Sequence, residues 1–247
     1  MSGHSKWSTI KHKKGALDAK RGRMFTRLIR EITIAARAGG GDASGNPRLR
    51  TAINAAKEAN MPADNITRAV KKGTGELEGQ TLEEVTYEGY ASGGVAVIVE
   101  TVTDNKNRTL PEIRHIFSKH GGNLGASNSV AWMFEKKGYI VVESSSLAED
   151  QLLEVALEAG ADDLKQDGSS FEIYTPTESF EQVKEALKSK GVAISASEIA
   201  MTPKNTVRTE GPAVRKVLNL IETLEEHDDV QHVWANFDID ESEIEAS

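Results

Sequence analysis

The chain has 247 residues, a formal net charge of -8 and no cysteine. That length suffices for two or three domains with cores of their own, and the missing cysteine excludes disulfide staples, thiolate catalysis and cysteine-ligated zinc while suiting a reducing cytosol. The overall acidity argues against a polyanionic partner only as an average: residues 1–75 carry 8 Lys and 8 Arg against 3 Asp and 2 Glu, a surplus of 11 positive charges, and the remainder sums to -19.

The opening segment sets Lys6, Trp7, Lys11, His12, Lys13 and Lys14 among Gly, Ser and Thr, with no acidic residue before Asp18. This composition predicts an arm that orders on binding. Its lysines would neutralise phosphates, and Trp7 either stacks on an unpaired base or packs against the bundle that follows. Over residues 16–38, Phe25, Leu28, Ile29, Ile32, Ala35 and Ala36 recur at helical spacing and define one face. Lys20, Arg23, Arg27, Arg30 and Arg37 step by three and four, with Ile34 at the skipped place, and project to the roughly opposite side. Gly39, Gly40 and Gly41 end the helix; Asn46 and Pro47 read as the N-cap and first position of a second, with Leu49, Ile53 and Ala56 inward. A third helix fits 63–72, with Ile66 and Val70 inward, Arg68, Lys71 and Lys72 outward, and Gly73 as its stop. Arg21, Arg48 and Arg50 complete the set of candidate nucleic-acid contacts in this first domain, residues 1–75. A basic helix face can be merely solvated, but a threefold excess of base over acid inside an otherwise acidic chain favours a binding surface.

Beyond Gly79 the pattern changes to β-rich runs alternating with amphipathic helices. Runs at 84–90 and 95–102 form a hairpin, Asn107 caps a helix reaching about His120, and 129–134 returns as a strand. Strand 139–142, helix 147–159, strands 163–165 and 171–174, helix 178–190 and strand 193–201 then give βαββαβ, the ferredoxin-like order. The helix 213–226 and strand 230–237 are too short for another domain, so they should fold back onto the 80–135 segment. The expected fold class is α+β: an N-terminal three-helix bundle followed by two α/β sandwich domains, one (80–135 plus 205–240) discontinuous, the other (136–204) inserted and ferredoxin-like. The acidic stretch 238–245 is expected to be frayed.

Several motifs in order resemble the YebC family. Gly3, His4, Ser5, Lys6 and Trp7, then Asp18, Ala19, Lys20, Arg21 and Gly22, then Gly40, Gly41 and Asp42 leading to Asn46, Pro47, Arg48 and Leu49 look like that family's opening. Tyr87, Glu88, Gly89 and Tyr90, the 104–109 run, and 121–125 leading to Val130 and Ala131 are similar as well, so the similarity spans nearly the whole chain. The resemblance implies three domains and a cytoplasmic protein of bacteria, with a related branch in mitochondria. It also implies a family usually labelled DNA-binding transcriptional regulators, to which a translational role is attributed too: helping ribosomes through stretches such as consecutive prolines, and activating translation in mitochondria. With the motif starting at Gly3, no transit peptide is expected, which favours a bacterial cytoplasmic member.

Catalytic chemistry finds little support. No G-x-x-x-x-G-K-[ST] phosphate loop exists, and Gly73, Gly75 and Gly79 lack both the G-x-G-x-x-G spacing and a preceding strand. His115 and His120, five apart on a helix, diverge and make a poor metal pair; adjacent Asp162 and Asp163 point apart in a strand without a partner base. No enzyme activity, cofactor or metal is expected. The loop of Asp104, Asn105, Lys106, Asn107 and Arg108 is a secondary candidate, since a helix N-terminus flanked by cations can receive a phosphate, although Asn and Asp favour turns and caps unaided. The Gly-rich 121–125 run reads as helix termination or as a close backbone approach for a partner.

The function expected is a non-enzymatic nucleic-acid-binding regulator of gene expression, acting on duplex DNA or on ribosomal RNA and the ribosome. Few Asn or Gln accompany the arginine stripe, which weakens base-specific reading and suits backbone and shape recognition. An alternative is a protein-interaction module whose basic bundle docks on an acidic partner. The longest apolar runs, 95–99 and 130–134, are far below the ~18 residues of a membrane span, so no membrane partner is expected, and a monomer is favoured.

Overall fold

A computed structural model describes residues 17–79, 81–143, 148–167, 170–240 and 243; the side chains of residues 17–20 and 167 are not described. The arm bearing Lys6, Trp7, Lys11, Lys13 and Lys14 therefore lies outside the described residues.

Three helices come first: α1 (Leu17–Gly39), α2 (Pro47–Glu58) and α3 (Ala63–Thr74). Asn46 caps α2 as the sequence suggests: its Oδ1 accepts from Leu49 N at 3.1 Å, while its Nδ2 donates to Ala35 O and Gly40 O at the end of α1. One buried amide thus closes one helix and opens the next. The core is Ile32, Ala35, Ala36, Leu49, Ala52, Ala56, Met61, Ile66 and Ala69, with Phe25, Leu28, Ile29, Ile53 and Val70 packed at its edge.

Gly73 is not the stop of α3. The helix continues to Thr74, and Gly75 ends it in the left-handed conformation (φ 81°). Gly73 instead marks the crossing with α1, because a Cβ there would stand 2.4 Å from Thr33 O and 2.7 Å from Ala36 Cβ.

The first sheet has the order β3-β1-β2-β9, built from β1 (Glu83–Tyr90), β2 (Ala96–Thr103), β3 (Asn123–Leu124) and β9 (Val230–Ala235), every neighbouring pair antiparallel. Helices α4 (Lys106–Lys119) and α7 (Pro212–Glu226) cover one face: Val97, Val99 and Val233 meet Ile113 and Phe117 of α4 and Val217, Leu220, Ile221 and Leu224 of α7. The second sheet, order β5-β6-β4-β7, comprises β4 (Phe134–Glu143), β5 (Asp163–Asp167), β6 (Ser170–Thr175) and β7 (Ile194–Pro203). With α5 (Glu149–Glu158) and α6 (Phe180–Ser189) on one side, this is the ferredoxin-like strand order. The two sheets meet through their other faces, where Ala96, Ile98 and Trp234 join Tyr139, Val141, Tyr174 and Ala200. That contact explains why 95–99 and 139–142 read as unbroken apolar runs: both faces of each strand are covered.

Local expectations are corrected at three further places. Asn105, not Asn107, caps α4, its Oδ1 accepting from Asn107 N and Arg108 N at 3.1 and 3.2 Å. The 129–134 run is not a strand but a 3-10 turn, Ala131–Met133, leading into β4 at Phe134. The acidic end is fixed at least to residue 240: β10 (Phe237–Asp238) pairs in parallel with β8 (Val207–Arg208), Ile239 is fully buried, and Arg208 binds Asp240 and Glu210.

Candidate nucleic-acid interface

The middle of the α1 stripe, Arg27 and Arg30, is half-buried against protein, while Arg23 and Arg37 at its ends are exposed. Arg27 donates to Glu225 O. Arg30 donates to Val102 O at 3.0 Å and to Asp228 O, with Asp229 Oδ1 3.2 Å away. Arg37 donates to Leu82 O at 2.8 Å, and Arg23 stands 3.8 Å from Glu226. Ile34, the apolar residue set among these arginines, is 5 % exposed. Helix α7 explains the arrangement. It ends in Leu-Glu-Glu with no basic residue in its last turn, so the carbonyls left open at its negative end need donors from elsewhere. Arg27 supplies one, and Arg30 serves the loop just beyond. Burial pulls the Arg27 guanidinium below its ordinary pKa, an effect that Glu225 opposes and Arg23 reinforces. The acidic side chains facing these arginines, Glu226 and Asp229, belong to the same chain.

Asp229 is the centre of this seam. Its side chain is 2 % exposed, and its Oδ2 accepts from Arg108 Nη2 at 2.6 Å, Thr109 Oγ1 at 2.7 Å and Thr103 Oγ1 at 3.0 Å. Burial by itself would raise its pKa; those hydrogen bonds outweigh burial and hold it below the usual carboxylate range. The secondary candidate loop is therefore committed to structure: Asn105 caps α4, Arg108 binds Asp104 and Asp229, and Lys106 pairs with Glu83 at 3.1 Å. Asn107 is exposed.

Arg48 is likewise engaged, forking between Glu31 and Glu84, whose hydrogen bonds raise its pKa. A second seam joins α2 to α6, where Glu58 meets Lys184 and Lys188 and Thr51 donates to Glu181.

What stays open is different. Arg68, Lys71 and Lys72 are exposed on one face of α3, three and four residues apart, and carry no ion pair among the described residues. Arg50 is exposed and, among the described residues, donates only to Ala43 O and Ser44 O of the loop before α2; Arg21 lies over the Phe25 ring at 5.4 Å. Lys57, absent from the sequence-based set, is also exposed on α2; its seven-residue spacing from Arg50 could have revealed it. Lys20 lies in the first turns of α1. His115 and His120 do not meet: His115 is exposed, and His120 Nε2 lies 3.1 Å from Thr223 Oγ1.

Comparison with known proteins bears on the whole of this arrangement. Residues 5–76 match the family model for the TACO1/YebC protein N-terminal domain, and residues 82–237 match that for the TACO1/YebC second and third domain. The chain belongs to the TACO1/YebC family. Relatives in it include a probable transcriptional regulatory protein of Koribacter versatilis, 58 % identical over 245 residues (99 % of this chain and 98 % of that protein). Another from Syntrophus aciditrophicus is 58 % identical over 246 residues, again covering 99 % and 98 %. Among solved structures, a conserved hypothetical protein from Aquifex aeolicus is 54 % identical with a TM-score of 0.83, covering 94 % of this TACO1/YebC chain and 96 % of its own.

Proposed function

We propose that this protein is a non-enzymatic regulator of gene expression that acts in the cytoplasm by binding nucleic acid through its N-terminal bundle, over α3 and the basic arm rather than over the α1 stripe. The reading takes residues 1–75 as the binding domain, 80–135 with 205–240 as a discontinuous α/β domain, and 136–204 as the ferredoxin-like domain inserted in it. Relatives named as probable transcriptional regulatory proteins support the regulatory class. The observation that carries the location is the contrast between Arg68, Lys71 and Lys72, exposed on one helix face with no ion pair among the described residues, and Arg27 and Arg30, half-buried and donating to protein carbonyls.

A ribosomal RNA ligand is the second reading. It is favoured by the make-up of the α3 face, where cations are accompanied by a single half-buried amide, Asn65. Such a surface neutralises phosphates better than it reads base edges.

The test is the salt dependence of binding by the full chain, with promoter-like duplex DNA and with ribosomes compared at one physiological ionic strength. Replacing Arg68, Lys71 and Lys72 together by Ala should flatten the slope of log K against log salt by roughly 0.9 per lost phosphate contact on duplex DNA. The pair R27A/R30A should leave that slope unchanged. An unaltered slope in the triple variant would refute the location, and ribosome retention with only nonspecific DNA binding would decide for RNA.

A further inference from the structure

Trp132 is 64 % exposed, the most exposed large apolar side chain among the described residues. Its frame is nonetheless rigid. Glu88, a carboxylate 6 % exposed in the middle of β1, accepts from three successive parts of the preceding loop: Asn128 N at 2.7 Å, and Val130 N and Ala131 N at 2.8 Å. Gly125 N donates to Glu88 O at 2.8 Å, and a Cβ at Gly125 would stand 2.6 Å from Ser129 Oγ. Asn128 stands at φ 65°, in the left-handed region that asparagine tolerates better than most residues. The indole itself is oriented, because Ser129 O accepts from both Trp132 Nε1 and Tyr90 Oη at 3.1 Å. Lys204 closes the frame, its Nζ donating to Trp132 O at 3.1 Å and its backbone N to Met133 O at 2.8 Å.

The indole therefore leaves most of its apolar area in water while its orientation is fixed. We infer that Trp132 is a stacking platform for an unpaired base of single-stranded nucleic acid, with the exposed Lys204 beside it, whose ammonium keeps two further N–H donors beyond the one given to Trp132 O, for the adjoining phosphate. The inference rests on the proposed nucleic-acid function and adds to it a second contact, distant in sequence from the bundle. The surroundings favour a base over a protein partner. Ser127, Asn128, Glu135, Lys204 and Asn205, which flank the indole in the chain or across the strand, are all exposed and polar. Met24, Leu77 and Leu157, the other exposed large apolar residues, sit on α1, beyond α3 and on α5. Protein-docking sites are marked by contiguous apolar patches, whereas a solitary π-face with a cation and amides nearby is what a base and its phosphate require.

The test uses the full chain, an unstructured oligouridine and an RNA duplex. W132A should bind the single strand roughly 5- to 150-fold more weakly, the cost of removing one base–aromatic stack, with duplex affinity unchanged; W132F, which keeps a ring, should recover most of the loss. In protein labelled with 5-fluorotryptophan, which has three tryptophans, the fluorine resonance that W132F removes should shift on adding oligouridine. Equal single-strand affinity for W132A and an unmoved resonance would overturn the inference, as would a resonance that moves with RNA-free ribosomal proteins but not with the oligonucleotide. The Arg68, Lys71 and Lys72 triple variant separates the two proposals. If it loses both ligands while W132A loses neither, only the stacking site fails; if the unaltered protein holds neither ligand, both fail.

Discussion

Replacing Asp229 by Ala tests whether the bundle is fastened to the first sheet by the charge network described above. The substitution removes the acceptor of two fully buried hydroxyls, Thr103 and Thr109, and the carboxylate 3.2 Å from Arg30, whose side chain is 19 % exposed. Each buried hydroxyl left without an acceptor costs about 1–3 kcal/mol; Thr109 retains Asn105 O as an acceptor, so the lower end applies to it, whereas Asn105 N donates to Thr103 Oγ1 and does not replace the acceptor Thr103 loses. Adding the stranded Arg30 brings the total to about 3–5 kcal/mol, the usual penalty for breaking a buried pair from one side. For a chain of this size that corresponds to a fall of about 10 °C in unfolding midpoint. Thermal and urea unfolding of D229A, with R30A and the double variant to close a cycle, measures both the loss and the Arg30 coupling. The pH dependence follows in sign: the folded carboxyl titrates below its unfolded value, so its contribution is complete above the unfolded pKa of about 4 and disappears as pH falls through the folded pKa. Stability of D229A within about 1 kcal/mol of the parent, or an unchanged acid limb, would refute the network as a fastening.

Gly73→Ala separates helix propensity from packing: propensity alone predicts a gain of about 1 kcal/mol, whereas the 2.4 Å approach to Thr33 O predicts a loss of about 1–3 kcal/mol in thermal unfolding. Glu88→Gln keeps the shape but offers one carbonyl oxygen to three amides, and should cost about 1–3 kcal/mol while increasing the local mobility of Trp132, read by fluorine relaxation of its label. His120 has its pKa lowered by burial first and Lys119 second, so it contributes stability above its unfolded pKa of about 6.5 that is lost as pH falls through the lower folded value; H120Q should flatten the decline in urea midpoint over that interval.

The helices and the ferredoxin-like order were legible because their signals are local and periodic. Asn46 before Pro47 marked a cap, and Leu49, Ile53 and Ala56 marked the face behind it. What failed to show was anything set by a neighbour distant in the chain. Arg27 and Arg30 look alike in sequence whether they face water or the end of α7, some 200 residues away; Ile34 between Arg30 and Arg37 was the available sign that this side is covered. Gly73 looked like a helix stop because the crossing with Thr33 is invisible to a one-dimensional pattern. The 129–134 run had strand composition, and only Glu88, an acidic residue inside an otherwise half-apolar strand, hinted that a carboxylate was needed to fold a loop. In the 104–108 loop the cap lies two residues before the Asn107 that the pattern suggests, because the helix already begins at Lys106. Trp132 drew no attention as a site because its exposure follows from that same loop.

The balance of energies also says which cations a polyanion can recruit. At about 0.15 M salt, counterion release at a slope of about 0.9 gives each phosphate contact roughly 1 kcal/mol. Drawing Arg27 and Arg30 out of their seam would gain about 2 kcal/mol on that scale. It would cost about 1–3 kcal/mol for each part-buried acceptor left without its arginine donor, Glu225 O and Val102 O. Asp229 would lose its Arg30 partner besides, while keeping Arg108, Thr103 and Thr109. The exchange runs uphill, so the seam should stay closed while α3 and the arm take the ligand. Amide hydrogen exchange in the last turn of α7, measured with and without saturating nucleic acid, reads this directly. Protection at Leu224 to Glu226 should be unchanged on binding; deprotection there would mean that the stripe had been released to the ligand and that the acidic part of the chain acts as its competitor.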